Sequence, residues 1–276
     1  MNYRHAFHAG NFADLVKHAT LLQLLARLTA SGGPLTVIDT HAGRGLYDLA
    51  GPEAIRSGEA QAGVGRLMAA TNPSTDFQPL MAAVATLNSG REIRRYPGSP
   101  WLIAGALRPT DSYLACELRP DEHAALRDLL KAKTNVRTVC ADGYDEAARR
   151  CPPQGRVLLL IDPPFEQADD YRRIVSTVAA VRRRNRQAQA LVWLPLKDLE
   201  TFDGFLRDLE EGVDAPILVA ETRMRPLSDP MKMNGCALVL VGDEAGMAGP
   251  LQAVSAWTAG ALGEDGGARV YAVPSP

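Results

Sequence analysis

Apolar residues come in short runs along the chain, and four of these runs lead into an acid. Leu35-Thr-Val-Ile38 leads into Asp39, and Ser112-Tyr-Leu-Ala-Cys116 into Glu117. Val136-Arg-Thr-Val-Cys140 is followed by Asp142-Gly143, and Arg156-Val-Leu-Leu-Leu-Ile161 by Asp162. Brief runs of leucine and β-branched residues predict strands buried on both faces. Ala190-Leu-Val-Trp-Leu194 predicts a fifth strand. Residues 217–222 and 237–241 predict two more at an antiparallel end of the sheet, and 270–273 a short terminal strand.

Helical spacing fills the intervals. Leu15, Leu21, Leu22, Leu25 and Leu28 recur along one helix, opened by Asn11 as a cap with Asp14 three positions on and stopped by Gly32-Gly33-Pro34. Residues 121–131, 171–184, 199–209 and 251–262 read as further helices. Strands alternating with helices predict an α/β fold, a parallel sheet with helices on both faces.

One spacing is abnormal. In a dinucleotide-binding unit the acidic ribose ligand follows the glycine loop by roughly 20 residues, whereas Asp39 and Glu117 stand 78 positions apart. The excess predicts a small helical insertion over 48–96, with 1–47 and 97–276 forming the α/β domain. Within it Gly51-Pro52, a helical stretch over 59–70, Asn72-Pro73 and a second stretch over 77–87 follow one another. Tyr96-Pro97-Gly98-Ser99-Pro100 re-enters the main fold, and Ser99 before Pro100 reads as an N-cap with a first-turn proline.

The 276 residues are 46% hydrophobic, enough for a full core. A net charge of −2 leaves nucleic-acid binding to local patches. Arg91, Arg94 and Arg95 form one candidate, and Arg182, Arg183, Arg184 and Arg186 another; a solvated helix end or loop is the ordinary alternative for each. Cys116, Cys140, Cys151 and Cys236 lack paired spacing and read as small buried hydrophobes in a reducing compartment. The first residues lack an apolar signal core, and no apolar run reaches the roughly 18 residues of a membrane span. A soluble cytoplasmic protein is expected, without membrane association.

Asp162-Pro163-Pro164-Phe165 is the most informative stretch. Two prolines cannot extend a central strand, so the chain turns at its carboxyl end, where open α/β sheets bind ligands. An acid, free carbonyls and an aromatic face suit a planar ring carrying an exocyclic amine. The loop Asp39-Thr40-His41-Ala42-Gly43-Arg44-Gly45 has two glycines but not GxGxxG, and taken alone an ordinary tight turn is the better explanation. Acids at successive strand ends strengthen it. Glu117 could accept from both ribose hydroxyls, and Asp142 from an adenine amine, with Gly143 letting the base lie close. The ordinary role for such acids, Asp142 above all, is a helix cap.

His5, His8, His18 and His41 crowd the first 41 residues, but no HExxH or acid–histidine set supports a metal site, and none is expected. The segment from Tyr3 to Asn11 is polar, aromatic and glycine-containing. It reads as a lid over the site rather than a loose tail, with Lys17 or His18 meeting a ligand carboxylate and Tyr3 reaching a second substrate.

Taken together, Tyr3-Arg4-His5 to His18, Asp39-Thr-His-Ala-Gly, Tyr96-Pro-Gly-Ser-Pro100 and Ile161-Asp-Pro-Pro-Phe165 resemble the bacterial 23S ribosomal RNA adenine-N6 methyltransferase family RlmJ over essentially the whole chain. The resemblance implies a class I Rossmann-like methyltransferase fold and S-adenosylmethionine as cofactor. It implies that Lys17, His18, His41, Gly43, Ser99, Glu117, Asp142, Gly143 and Asp162 bind that cofactor, with His18, His41 and Ser99 at its methionine end. Asp162, Pro163 and Phe165 would form the catalytic corner, and Tyr3 would contact RNA. The implied partner is 23S ribosomal RNA, met before full ribosome assembly by a monomeric enzyme. The family commonly has tyrosine where Phe165 stands, and a small residue where Arg44 stands.

Rival readings are a DNA adenine or protein glutamine amino-methyltransferase, or a non-catalytic RNA-binding module on the same fold. A nicotinamide dehydrogenase is disfavoured by the absent GxGxxG.

Overall fold

The computed structural model describes residues 4–30, 32–90, 92–228, 233–242 and 246–273. Tyr3 and Arg91 lie outside them. Among the described residues the strands are β1 (Leu35–Asp39), β2 (Leu46–Asp48), β3 (Arg95–Pro97), β4 (Ser112–Cys116), β5 (Val136–Val139), β6 (Arg156–Ile161), β7 (Ala188–Leu196), β8 (Ile217–Arg223), β9 (Gly235–Val241) and β10 (Gly267–Val273). The α-helices are α1 (Phe12–Ala30), α2 (Pro52–Ser57), α3 (Arg66–Ala69), α4 (Gln78–Leu87), α5 (Ser99–Ala106), α6 (Pro120–Leu130), α7 (Gly143–Arg150), α8 (Asp170–Arg184), α9 (Leu199–Gly212) and α10 (Ala248–Leu262).

Eight strands form one sheet in the order β10-β8-β9-β7-β6-β1-β4-β5. From β5 across to β7 every pairing is parallel, and β9 enters antiparallel between β7 and β8. This is the Rossmann-like α/β arrangement expected from the sequence, with the antiparallel end where the late strands predict it. Because the chain leaves β1 for β4 on one side and reaches β6 on the other, the strand order reverses at β1. The register sets Asp39 opposite both Leu160 and Ala115, so the carboxyl ends of β6, β1 and β4 lie side by side.

Alternation along the buried strands sorts side chains to two faces. Val37, Leu158, Leu160 and Leu191 join a core with α1, α4, α5 and α10. Ile38, Leu159, Ile161 and Val192 join a second core with α7, α8 and α9. Truncating one such buried leucine to alanine costs about 2–5 kcal/mol, so each face is a substantial share of the fold's stability.

The stretch over 48–96 begins and ends at a two-stranded ribbon, where β2 pairs with β3 and Tyr47 faces Tyr96. Three-residue strands leave too short a pattern to read, and the sequence did not predict them. Between them lie α2, a π-helical turn (Gln61–Gly65), α3, a 3-10 turn (Thr75–Phe77) and α4. The helical stretch expected over 59–70 is therefore present without a break from Glu59 to Ala69, with the π-helical turn inside it. At Gly63 the chain meets the N-terminal segment: Val64 N donates to Gly10 O at 2.8 Å, and a Cβ on Gly63 would sit 2.1 Å from that same oxygen. The far side of the stretch packs on α10, with Phe77 edge-on to Trp257 at 5.0 Å.

Two local expectations are corrected, and one helix is added. Ser99 is the first residue of α5, not its N-cap; Gly98 holds that position, and the Ser99 hydroxyl bonds elsewhere. Cys140 is exposed, because β5 ends at Val139 and the chain turns outward, while Cys116, Cys151 and Cys236 are buried as expected. Helix α7 was not itself predicted, but the cap role open to Asp142 holds: its side chain accepts from Tyr144 N, acids fill the first turn and arginines the last.

Candidate active site

Three of the four acids line one cavity of about 710 Å³ at the carboxyl edge of the sheet, and the fourth lies behind it. Asp162 stands beyond β6, Asp39 ends β1, Glu117 follows β4 and Asp142 follows β5. Pro163, Phe165, His18, His41, Gly43, Ser99 and Gly143 join Glu117, Asp142 and Asp162 on its wall, as does Lys17. Asp39 lies beneath that wall, fully buried. Every sequence-predicted site residue within the described residues is thus brought to one place.

Helix α1 supplies the floor. Asp14, Lys17 and His18, at spacings of three and four, share one helix face and are all buried. Lys17 Nζ donates to Asp14 Oδ1 at 2.9 Å and to Asp162 Oδ2 at 2.5 Å. Burial opposes the lysine charge, but the two carboxylates outweigh it and hold Lys17 well above the usual lysine range. Burial likewise works against Asp14, and His5, Lys17 and His18 overcome it and hold its carboxyl well below the ordinary value. Lys17 thus faces two carboxylates of the chain itself. His18 Nδ1 pairs with the Tyr96 hydroxyl at 2.9 Å, and burial lowers its pKa to about 3.

The Asp162-Pro163-Pro164-Phe165 corner adopts a backbone with φ +52° at Phe165, the left-handed region rarely visited by side-chain-bearing residues. Its ring centroid lies 5.0 Å from Tyr171 on α8 and 5.9 Å from Trp193 on β7. Strain of this kind costs about 1–3 kcal/mol and persists only where surroundings enforce it. The prolines and the aromatic neighbours enforce it here.

At the other end, Glu117 is pinned by two backbone donors, Gly43 N and Arg119 N, each at 2.8 Å. Burial raises its pKa, against those two bonds. Asp142 accepts from Tyr144 N at 3.0 Å and from Arg173 at 2.9 Å. Gly143 is needed for a reason other than the one its position suggests: a Cβ there would lie 1.9 Å from Thr40 O, so the loops after β1 and β5 touch backbone to backbone. His41 Nδ1 pairs with Thr40 Oγ1 at 2.8 Å, its ring stands edge-on to Tyr144, and burial lowers it to about 4.

Between the two ends, Asp39 Oδ2 accepts from Ser99 Oγ at 2.9 Å and from Tyr113 at 3.1 Å. Burial raises Asp39 to about 7, despite those bonds. Arg44 forms a two-pronged pair with Glu122 of α6 at 2.7 and 2.9 Å, which fastens the glycine loop.

The N-terminal segment is tied down. His5 Nε2 pairs with Asp14 at 3.0 Å, His8 Nδ1 with Glu59 at 2.9 Å, and Asn11 donates to Glu59 at 2.9 Å. Arg4, His5 and His8 line the cavity. The four histidines of the first 41 residues thus have four different polar partners. The expected role of Tyr3 lies outside the described residues. Arg94 and Arg95 are exposed near the ribbon. Arg182 and Arg184 instead bond the carbonyls of Ala188 and Cys151 at the far end of α8, closing loops at the amino edge of the sheet, away from the cavity.

The sequence reading missed Asp14, Arg173, Trp193 and Lys197 as parts of the wall. Only Asp14 carried a signal, an acid on the same helix face as Lys17 and His18.

The family model described as Ribosomal RNA large subunit methyltransferase D, RlmJ, matches residues 32–273. The chain belongs to this family. Relatives extend the RlmJ match: Ribosomal RNA large subunit methyltransferase J of Haemophilus influenzae is 33% identical over 243 residues, covering 87% of this chain and 86% of that protein. The protein of the same name from Escherichia coli is 32% identical over 242 residues, with the same coverage of 87% and 86%. The crystal structure of protein LPL1258 from Legionella pneumophila matches with a TM-score of 0.86 at 28% identity, over 97% of this chain and 98% of that one. The RlmJ family model starts after α1, whereas the LPL1258 match spans nearly the whole chain.

Proposed function

We propose that the protein is an S-adenosylmethionine-dependent methyltransferase acting on large-subunit ribosomal RNA, and that its target is the exocyclic N6 of an adenine in 23S RNA. One observation carries the reading: the amine-accepting corner of Asp162, Pro163 and Phe165 faces the same cavity as the nucleoside-suited acids Glu117 and Asp142.

The residues fit the cofactor. Glu117, immobilised by two backbone N–H groups, offers lone pairs to a vicinal diol. Asp142 offers an acceptor to an adenine amine. His18 and His41 are held neutral by burial and meet polar groups without adding charge, and Ser99 lies beside them at the methionine end. When bound, S-adenosylmethionine supplies a methyl group made electrophilic by its sulfonium.

The chain's own residues then act on the target base. Phe165 offers a face for stacking, with Tyr171 and Trp193 behind it excluding water. Lys17 occupies Asp162 Oδ2 and leaves Oδ1 to accept one amine N–H, while the Pro163 carbonyl accepts the other. Both acceptors draw the amine away from conjugation with its ring and free its lone pair for attack. Asp162 need not be a strong base, because the departing proton becomes acidic as the new bond forms. Lys17 is a positioning residue in this scheme.

A stacked adenine cannot enter such a cavity, so the base must be turned out. That need supports protein-free or partly assembled 23S RNA as the form acted upon; the proposal takes the enzyme as a cytoplasmic monomer. Residues 48–96, with Arg94 and Arg95 exposed at their end, form an insertion suited to gripping RNA backbone.

The experiment is mass spectrometry of 23S RNA from cells with and without the gene, followed by methylation of RNA, duplex DNA and protein with labelled cofactor by the wild type and Asp162→Ala. Loss of one N6-methyladenine, and transfer to RNA alone that Asp162→Ala abolishes, is the expected result. Transfer to DNA or protein in preference to RNA, or substantial turnover by the variant, would overturn the reading.

A further inference from the structure

We infer that Arg173 is a positioning residue that gives the cofactor pocket its preference for an adenine ring over a 6-oxopurine; this rests on Asp142 being the adenine acceptor.

The geometry begins with the two oxygens of Asp142. Oδ1 is committed to capping α7 through Tyr144 N at 3.0 Å. Oδ2 accepts from Arg173 Nη2 at 2.9 Å. Arg173 comes from α8, the helix that follows the Asp162 corner, so the clasp joins the two ends of the cavity. Arg173 is itself held. Its guanidinium lies 4.4 Å from the centroid of the Tyr144 ring. The Tyr144 hydroxyl donates to Asp170 Oδ1 at 3.2 Å, and Gln167 N donates to Asp170 Oδ2 at 3.1 Å. The ring also meets His41 edge-on at 4.8 Å. Asp145 stands 3.8 Å from the same guanidinium and adds a second acidic neighbour.

With one oxygen capping a helix and the other on a stacked guanidinium, the Asp142 carboxylate cannot turn about its last torsion. A fixed carboxylate only accepts hydrogen bonds. It suits the 6-amine of adenine and repels the 6-carbonyl of a 6-oxopurine, which has no proton to offer at that atom. A site built to pair with one donor rejects the analogue lacking it, because its own polar group is then left facing the wrong partner. Without Arg173 the cap through Tyr144 N remains, but the carboxylate can turn as a unit about its last torsion at the expense of that single bond, and the penalty for the wrong base shrinks. Lysine cannot replace the arginine fully, since it lacks the planar fork and the flat face that stacks on Tyr144.

The ordinary alternative is that Arg173 merely ties α8 to the start of α7. Such a clasp would lower the melting temperature and weaken every ligand alike.

Calorimetric titration of S-adenosylhomocysteine and S-inosylhomocysteine separates the two. The wild type should prefer the adenosyl ligand by about tenfold or more, and Asp142→Ala should reduce that to about threefold or less. Arg173→Met should weaken the adenosyl ligand by roughly five- to twentyfold, leave the inosyl ligand nearly unmoved, and so lose the preference as Asp142→Ala does. Arg173→Lys should recover part of it. Arg173→Gln serves the same purpose if the methionine variant does not fold. Equal weakening of both ligands, or of neither, while Asp142→Ala still abolishes the preference, overturns the role of Arg173 alone. An unchanged preference in Asp142→Ala, or no preference in the wild type, overturns the Asp142 assignment and the inference with it.

Discussion

Lys17 Nζ lies 2.5 Å from Asp162 Oδ2 and 2.9 Å from Asp14 Oδ1, joining the first helix to the corner 145 positions away. The Lys17 side chain is 6% exposed and that of Asp162 20%. Removing one member of a buried charge pair strands the other, at a cost of about 3–5 kcal/mol.

Lys17→Met should therefore lower methyl transfer at saturating cofactor by about a hundredfold or more, since Asp162 loses both its orientation and its counter-charge. Single-turnover transfer of labelled methyl to a 23S RNA fragment measures this. A drop below threefold would show that Asp162 is positioned without the lysine.

Asp39 and Asp14 respond to pH in opposite senses. Burial raises the Asp39 carboxyl to about 7, so the folded state holds a proton that the unfolded chain releases near its ordinary value of about 3.9. Its contribution to stability is full below that ordinary value and is lost as pH rises towards 7. Asp14, held low, contributes above its ordinary value and loses that contribution in acid. In Asp39→Asn the amide oxygen can still accept from Ser99 and Tyr113. Thermal melts should show this variant gaining on the wild type between pH 5 and pH 8. Parallel curves for the two proteins would contradict the assignment.

Gly143 and Gly204 should respond oppositely to alanine. A Cβ on Gly143 meets Thr40 O at 1.9 Å, whereas one on Gly204, inside α9, meets nothing within 4 Å. Gly143→Ala should destabilise by several kcal/mol or prevent folding. Gly204→Ala should stabilise by about 0.5–1 kcal/mol through helix propensity alone. Denaturant melts decide both.

Phe165 separates strain from chemistry. Glycine tolerates φ +52° at little cost, so Phe165→Gly should lose less stability than Phe165→Ala, although both remove the ring. Both should lose most methyl transfer, while Phe165→Tyr should retain it. Equal activity in Phe165→Ala and wild type would remove the stacking role.

Much of this was legible because strand ends announce themselves. Buried parallel strands are continuous apolar runs, and the polar residue that stops each run marks the sheet's carboxyl edge. Asp39, Glu117, Asp142 and Asp162 were found that way. What escaped was anything that distance in the chain conceals. The lysine–aspartate contact spans two elements with no shared periodicity. The true reason for Gly143 is a carbonyl a hundred positions earlier, and the Ser99 hydroxyl serves Asp39 rather than its own helix. Helix α7 escaped for another cause. Asp142 is both cap and pocket acid, and its cap role was legible, but the eight residues that follow, Gly143–Arg150, are too few and too polar to show a helical apolar stripe.

Strand β9 has a consequence for how the molecule comes to be. Since it lodges between β7 and β8, β7 has only β6 beside it and β8 has no partner until residues 235–241 have been made. A nascent chain that already holds all four acids still presents β7 as a bare apolar edge, open to pairing with another chain. Met233 and Asn234, which lead into β9, finish the job: Asn234 N bonds Leu196 O at 2.9 Å, and Met233 lines the cavity beside Trp193. The last wall of the site and the cover for the open edge of β7 are therefore supplied by one stretch of chain, residues 233–241.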